Sequence, residues 1–248
     1  LKQYEFADGT ARIATGQAAW LALAFSRLDE TKALYWLKEA LAGHLEGGSV
    51  PIAAASSLPV YGWILGHLYQ TSKNRPAFLK EIRPVYGKIF NFHQHLYTNN
   101  DLSGDGLIAT ARGGTSEGVT SSPPLTNPTE DPFFNALLIW SNEHLIRIGG
   151  LLGEDVQEVI EWNDLATWSM NEKLWDDGAN CYLLFDLNQQ SKIATTSVNG
   201  FLPIAAGIPT QEQAEMMHEV LIQQALDPHE WVLNWLLYKG LLRYEMRE

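Results

Sequence analysis

The chain has 248 residues, 46% hydrophobic and 19% charged, and 17 Lys+Arg against 29 Asp+Glu leave a net charge of −12. Such a composition excludes a disordered chain, and the acidic balance repels phosphate backbones, so nucleic acid is not an expected partner. No basic cluster suggests a membrane surface, and the longest apolar run, Ala18 to Phe25, is far short of the ~20 residues that span a bilayer.

A lone cysteine, Cys181, excludes a disulfide framework and a Cys-based zinc site. It fits a reducing compartment, and with no leader standing out the expected location is cytoplasmic. Nine Trp, nine Tyr and nine Phe make the chain rich in rings. Most rings belong to the core, yet aromatic faces among acids also suit sugars, whose C–H faces stack while carboxylates hold hydroxyls.

Apolar residues recur at helical spacing through most of the chain. Residues 18–25 are apolar nearly all round and predict a buried helix. Asp29 and Glu30 open a second, with Ala33, Leu34, Leu37, Ala40 and Leu41 on one face and Gly47-Gly48 as its stop. Ser56-Ser57-Leu58-Pro59 precedes a third through Tyr61, Ile64, Leu65, Leu68 and Tyr69. Its partner runs over 76–96 with Phe78, Ile82, Val85, Ile89 and Phe92 aligned.

Asp131-Pro132 pairs an N-cap with Pro at the first helical position and starts a helix that ends near Gly149-Gly150. Residues 154–174 follow, with Val156, Val159, Ile160, Leu165 and Trp168 as the apolar stripe. Thr210-x-x-Gln213 is a capping box that opens a fourth pair, completed by a helix over 231–244. The count is eight helices in four hairpins. Two stretches, 99–130 and 176–208, resist helix; the second holds a short strand at 181–186 with a turn at 188–190.

Several strings then stand in order: Asp101-x-x-Gly104-Asp105-Gly106-Leu107, Ser121-Ser122-Pro123, Asp131-Pro132-Phe133-Phe134-Asn135-Ala136, Lys173-Leu174-Trp175-Asp176, the run from Gly200 to Pro209, and Asn234-Trp235. Their order resembles the six-hairpin (α/α)6-barrel glycoside hydrolases, nearest the mannosylglycerate and glucosylglycerate hydrolase type. The resemblance implies an all-α, incomplete (α/α)6 toroid in one domain over 1–248, with a small β excursion near 180–195. It also implies an inverting hydrolase of a small glycoside or oligosaccharide, with a small carbohydrate as ligand and no cofactor or metal.

Inversion needs one carboxylic acid and one carboxylate about 6.5–9.5 Å apart. The family's acid is the Asp of a Gly-x-Asp-x-Ser-Pro loop; here Gly118-Val119-Thr120-Ser121-Ser122-Pro123 puts Thr120 at that position. Glu117 is the carboxylate three residues upstream, so Glu117 and Thr120 are the candidate catalytic residues. The family's base follows the Asn-Trp helix, and no residue up to Glu248 stands there. The resemblance gives Gln17, Trp20, Tyr61, Asp131, Trp231 and Asn234 as substrate contacts, Gln17 and Trp20 standing near the family's Trp-Asp pair. The simplest reading of Asp131 is a helix cap.

Asp101 and Asp105 read better as a turn than as a calcium loop. His93 and His95 lie on different helix faces, poor geometry for one metal. Two alternatives stay beside the hydrolase: a catalytically degenerate sugar-binding toroid, favoured by Thr120, and a sugar isomerase or epimerase using histidines.

Overall fold

The structure, a computed structural model, describes residues 15–45, 58–110, 127–194, 197–223 and 231–246, with side chains described over 18–42, 58–110, 127–194, 197–223 and 232–246. Among these residues lie nine α-helices: α1 (Thr15–Phe25), α2 (Glu30–Leu45), α3 (Tyr61–Thr71), α4 (Arg75–Asn100), α5 (Pro132–Leu152), α6 (Gln157–Ser169), α7 (Pro203–Ala206), α8 (Gln211–Gln223) and α9 (Trp231–Arg243).

Local chemistry explains their ends. Asp29 Oδ1 accepts from the Lys32 N–H at 3.0 Å, and Asn74 Oδ1 accepts from the Ala77 N–H at 3.3 Å, capping α2 and α4. The Thr210 box closes reciprocally: its hydroxyl accepts from Gln213 N–H, and the Gln213 carboxamide accepts from Thr210 N–H. Pro84 lies inside α4 on its exposed face, where the carbonyl it leaves without a helical donor meets water.

The apolar stripes of the first pairs pack as the spacing predicts. Ala18, Ala19 and Ala22 of α1 are buried, as are Ala33, Leu34, Leu37, Ala40 and Leu41 of α2. Small residues on α1 let the two helices approach closely. Successive odd-numbered helices pack side by side, α1 on α3, α3 on α5, α5 on α7 and α7 on α9. Gly62 faces Ser141 and Gly66 faces His144, so α3 and α5 run in the same direction. A Cβ at either glycine would strike α5, which is why this seam needs glycine. Gly240 of α9 likewise lies against Ile204 and Ala205 of α7. The odd helices form the inner arc, and the even helices present polar, exposed faces.

Three details differ from the periodicity. First, 231–243 does not complete a pair with 211–223. A 3-10 turn (Val198–Phe201) and the four-residue α7 form an inner segment that sequence spacing hides, and α9 packs on α7 as the next inner helix. Second, the helix after Glu154 gives way to a π-helical turn, Met170–Leu174, and its expected stripe is rotated: Val159 and Ala166 are buried, whereas Leu165 and Trp168 are exposed. Third, the strand expected at 181–186 is divided. With β1 (Ala109–Thr110), β2 (Thr129–Glu130), β3 (Trp175–Asp176), β4 (Cys181–Tyr182), β5 (Leu184–Asp186) and β6 (Ser191–Ile193), one antiparallel sheet runs β1-β2-β5-β6 and a hairpin pairs β3 with β4. Leu183 bonds back to the Leu174 carbonyl and so separates β4 from β5.

Among the described residues no helix is long and apolar enough to cross a membrane.

Candidate functional site

The amino ends of the inner helices share one end of the arc. At α5 the carboxylate of Asp131 accepts from Phe133 N–H at 2.8 Å, the N-cap its sequence predicts. Asn135, one turn inside, grips the incoming chain: its carboxamide oxygen accepts from Ile108 N–H at 2.7 Å and its NH2 donates to the Ile108 carbonyl at 3.1 Å. Next to this clamp, β1 pairs with β2 through Ala109–Glu130 and Thr110–Thr129. Both ends of the segment carrying Glu117 and Thr120 are therefore fastened at the amino end of α5.

Burial governs the electrostatics there. Asp131 is fully buried, and its Oδ2 has no hydrogen-bond partner among the described residues. Burial raises its pKa to about 6 against the opposing pull of the Phe133 and Phe134 N–H groups. Glu130 is fully buried as well. Lys173 donates to it at 2.9 Å and to Asp105 at 2.6 Å, and the Ser103 hydroxyl donates to Glu130 at 2.7 Å. Burial raises the Glu130 pKa despite these donors. For Lys173 burial opposes the charge, but the hydrogen bonds to Asp105 and Glu130 prevail and the pKa is raised. Its ammonium also lies 4.6 Å from the centre of the Phe185 ring. Asp101 accepts from the N–H groups of Asp105 and Gly106, so the acidic stretch is a turn, as expected, that presents Asp105 to Lys173.

A tier of indoles crosses the inner arc. Trp63 of α3 stacks on Trp140 of α5 at 4.6 Å, with Trp235 of α9 5.7 Å and Trp20 of α1 6.3 Å from it. Trp20 is partly exposed and meets Trp63 edge-on. Asn234 is partly buried on α9. Tyr61 is fully buried, with its ring edge-on to Phe92 of α4. Gln17 lies on α1 and Trp231 opens α9, but their side chains lie outside the described residues, as do Glu117 and Thr120 entirely. The structure thus brings Trp20 to the indole tier, places Asn234 on α9 next to Trp235 in sequence, and sets Asp131 at the root of the Glu117 segment.

Sequence reasoning missed the Lys173–Glu130–Asp105 cluster. Nothing local marks it: Lys173 stands beside Glu172 and three residues before Asp176, so the sequence alone does not single out Glu130 and Asp105 as its partners.

Residues 38–238 match the mannosylglycerate hydrolase MGH1-like glycoside hydrolase domain. A mannosylglycerate hydrolase of Thermus thermophilus is 26% identical over 217 residues, covering 64% of this chain and 52% of that protein. The chain thus spans about half the length of that curated relative. In structure it is similar to a GH63 mannosylglycerate hydrolase of Thermus thermophilus in complex with Tris, with a TM-score of 0.79 at 20% identity over 93% of this chain and 80% of that one. The same enzyme in complex with glucose gives 0.76 at 19% identity, over 92% and 80%. A GH78 rhamnosidase of Bacillus sp. GL1 gives 0.62 at 14% identity, over 94% of this chain and 28% of that one. These likenesses establish the helical toroid fold, and the match over 38–238 shows that the chain belongs to the MGH1-like glycoside hydrolase family.

Proposed function

We propose that this chain, a single domain over 1–248, carries the barrel of an inverting glycoside hydrolase that acts on a small glycoside in the cytoplasm. The family match carries the reading: it spans the Glu117–Thr120 segment, the Asp131 cap and Trp63, Trp140 and Trp235 of the indole tier. A sugar seated at the amino ends of the inner helices would meet Gln17 and Trp20 on one side and Trp231 and Asn234 on the other, with Tyr61, fully buried against Phe92, behind the wall rather than in contact with it. Indole faces attract the polarised C–H groups of a sugar, while amides and carboxylates orient its hydroxyls. Glu117 is the acid available near the leaving oxygen. Asp131 holds the amino end of α5, which sets where the Glu117 segment ends.

A second reading, sugar binding without turnover, is favoured by Thr120. A threonine hydroxyl cannot protonate a leaving oxygen at neutral pH, and each general acid or base contributes about 10²–10⁴ in rate. Two substrates separate the readings. An aryl glycoside has a leaving group that needs little protonation, whereas a glyceryl glycoside needs the acid. Turnover of the glyceryl glycoside, abolished by Glu117→Gln, supports the hydrolase. Saturable sugar binding without turnover of either substrate supports the binding module, and Thr120→Asp would then add little.

A further inference from the structure

We propose that the cavity at the carboxyl ends of the inner helices binds a small anion bearing two or more phosphate or carboxylate groups. The cavity shares the indoles of Trp63, Trp140 and Trp235 with the tier described above, but the cations that carry this proposal lie on the side of those rings away from Asp131, and the argument does not rest on the sugar reading. The cavity has a volume of about 590 Å³ and is walled by Trp63, His67 and Gln70 of α3, the middle turns of α5 from Trp140 to Arg147, the carboxyl half of α9 and Arg27 just after α1. Arg27, Arg147, Lys239 and Arg243 line it, with Glu143 as the one carboxylate among the lining residues. That concentration of cations sits on a chain whose net charge is −12.

Of these cations, Arg243 pairs with Glu143 at 3.1 Å, donates to the Ala206 carbonyl and lies over the Trp140 ring. Arg27, Arg147 and Lys239 have no carboxylate partner among the described residues. Arg147 donates only to neutral groups: His144 Nδ1 at 2.8 Å and, with the amide correctly oriented, the Gln70 carboxamide oxygen at 2.8 Å. The carboxyl ends of α1, α3 and α9 each add about half a negative charge, which offsets part of this field. The two histidines of the wall register what is left. Burial first, then Arg27 and Lys239, lower the pKa of His67; burial, then Arg147 and Arg243, lower that of His144 to about 3. The histidines therefore stay neutral and leave the unpaired cations to the ligand. Arginine forks and a lysine ammonium match the oxygens of phosphate and carboxylate, and charge-assisted hydrogen bonds of this kind are short and strong. The indoles of Trp63, Trp140 and Trp235 form the inner wall, so binding there is visible in tryptophan fluorescence.

The test is calorimetric titration of the protein with pyrophosphate, with citrate and with acetamide as the uncharged control, followed also by tryptophan fluorescence. The expected result is one-to-one binding of pyrophosphate or citrate but not acetamide, the stronger of the two identifying phosphate or carboxylate as the preferred group. Lys239→Gln and Arg147→Gln, both exposed positions, should each weaken that binding about tenfold or more, whereas Lys239→Arg retains it. No saturable binding of either anion in the millimolar range, or binding that both Gln variants leave unchanged, overturns the proposal.

Discussion

At the amino end of α5, Glu130 and Asp131 are fully buried, and Lys173 is the cation that meets Glu130; toward the carboxyl ends of the inner helices, Arg27, Arg147 and Lys239 are exposed. Both ends obey the helix dipole, with acids at amino ends and cations at carboxyl ends. They differ in solvation. Burial raises the pKa of both acids, so the amino end holds charge against a strong tendency to neutralise it. At the carboxyl end the cations remain hydrated, and the groups that burial neutralises are the histidines beside them. A buried charge depends on one partner, whereas a hydrated one tolerates the loss of its neighbours.

The largest expected effect breaks the amino end. Lys173→Met removes the cation from buried Glu130, and losing one partner of a buried ion pair costs about 3–5 kcal/mol. Urea unfolding should show that loss. The double variant Lys173→Met/Glu130→Gln should recover much of it, and a double variant no better than the single one would show that Lys173 acts by packing.

A smaller effect follows from the buried histidines. His93 is fully buried and bonded to Asn142 at 2.7 Å; burial lowers its pKa to about 4, with the Asn142 bond opposing. The unfolded chain takes up this proton near pH 6.5 and the folded chain does not. Stability therefore falls as pH falls from about 6.5 toward 4, by about 2 kcal/mol at pH 5 from His93 alone. His144 acts in the same direction. Asp131 opposes them: its raised pKa favours the fold at low pH, and that contribution is lost as pH rises through about 6. Unfolding at pH 7 and pH 5 should show a net loss at pH 5, and His93→Gln should flatten the slope.

The smallest effect separates the cap from the carboxyl. Asp131→Ala removes the acceptor for Phe133 N–H and should cost about 1 kcal/mol in thermal unfolding. Asp131→Asn keeps the acceptor and removes the buried acid, so it should cost less and also erase the opposing term near pH 6. Equal losses in the two variants would mean that the carboxyl group itself, not the cap, holds the end of α5.

What the sequence revealed follows from the range of each interaction. The stripes of α1 to α5 and the caps at Asp131 and Thr210 are local, carried by residues a turn apart, and they were legible. The inner segment at 198–206 was not, because four helical residues give too few turns for a period. The exposure of Leu165 and Trp168 depends on which face α6 turns to α5, which no spacing within α6 fixes. At the site, Asp131 was legible as a cap, whereas the Lys173–Glu130–Asp105 cluster joins residues 43 and 68 apart and emerges only on folding.

The two-rung ladder that joins Ala109–Thr110 to Thr129–Glu130 has a consequence for how such a protein can diversify. Because the ladder and the Asn135 clamp bring the segment's ends together, its length need not be matched to the barrel. Doubling such a loop adds only about 0.6 kcal/mol of closure entropy. The segment bearing Glu117 and Thr120 thus runs between two fastened ends, and changes in its length or sequence leave the registers of the helices beneath untouched.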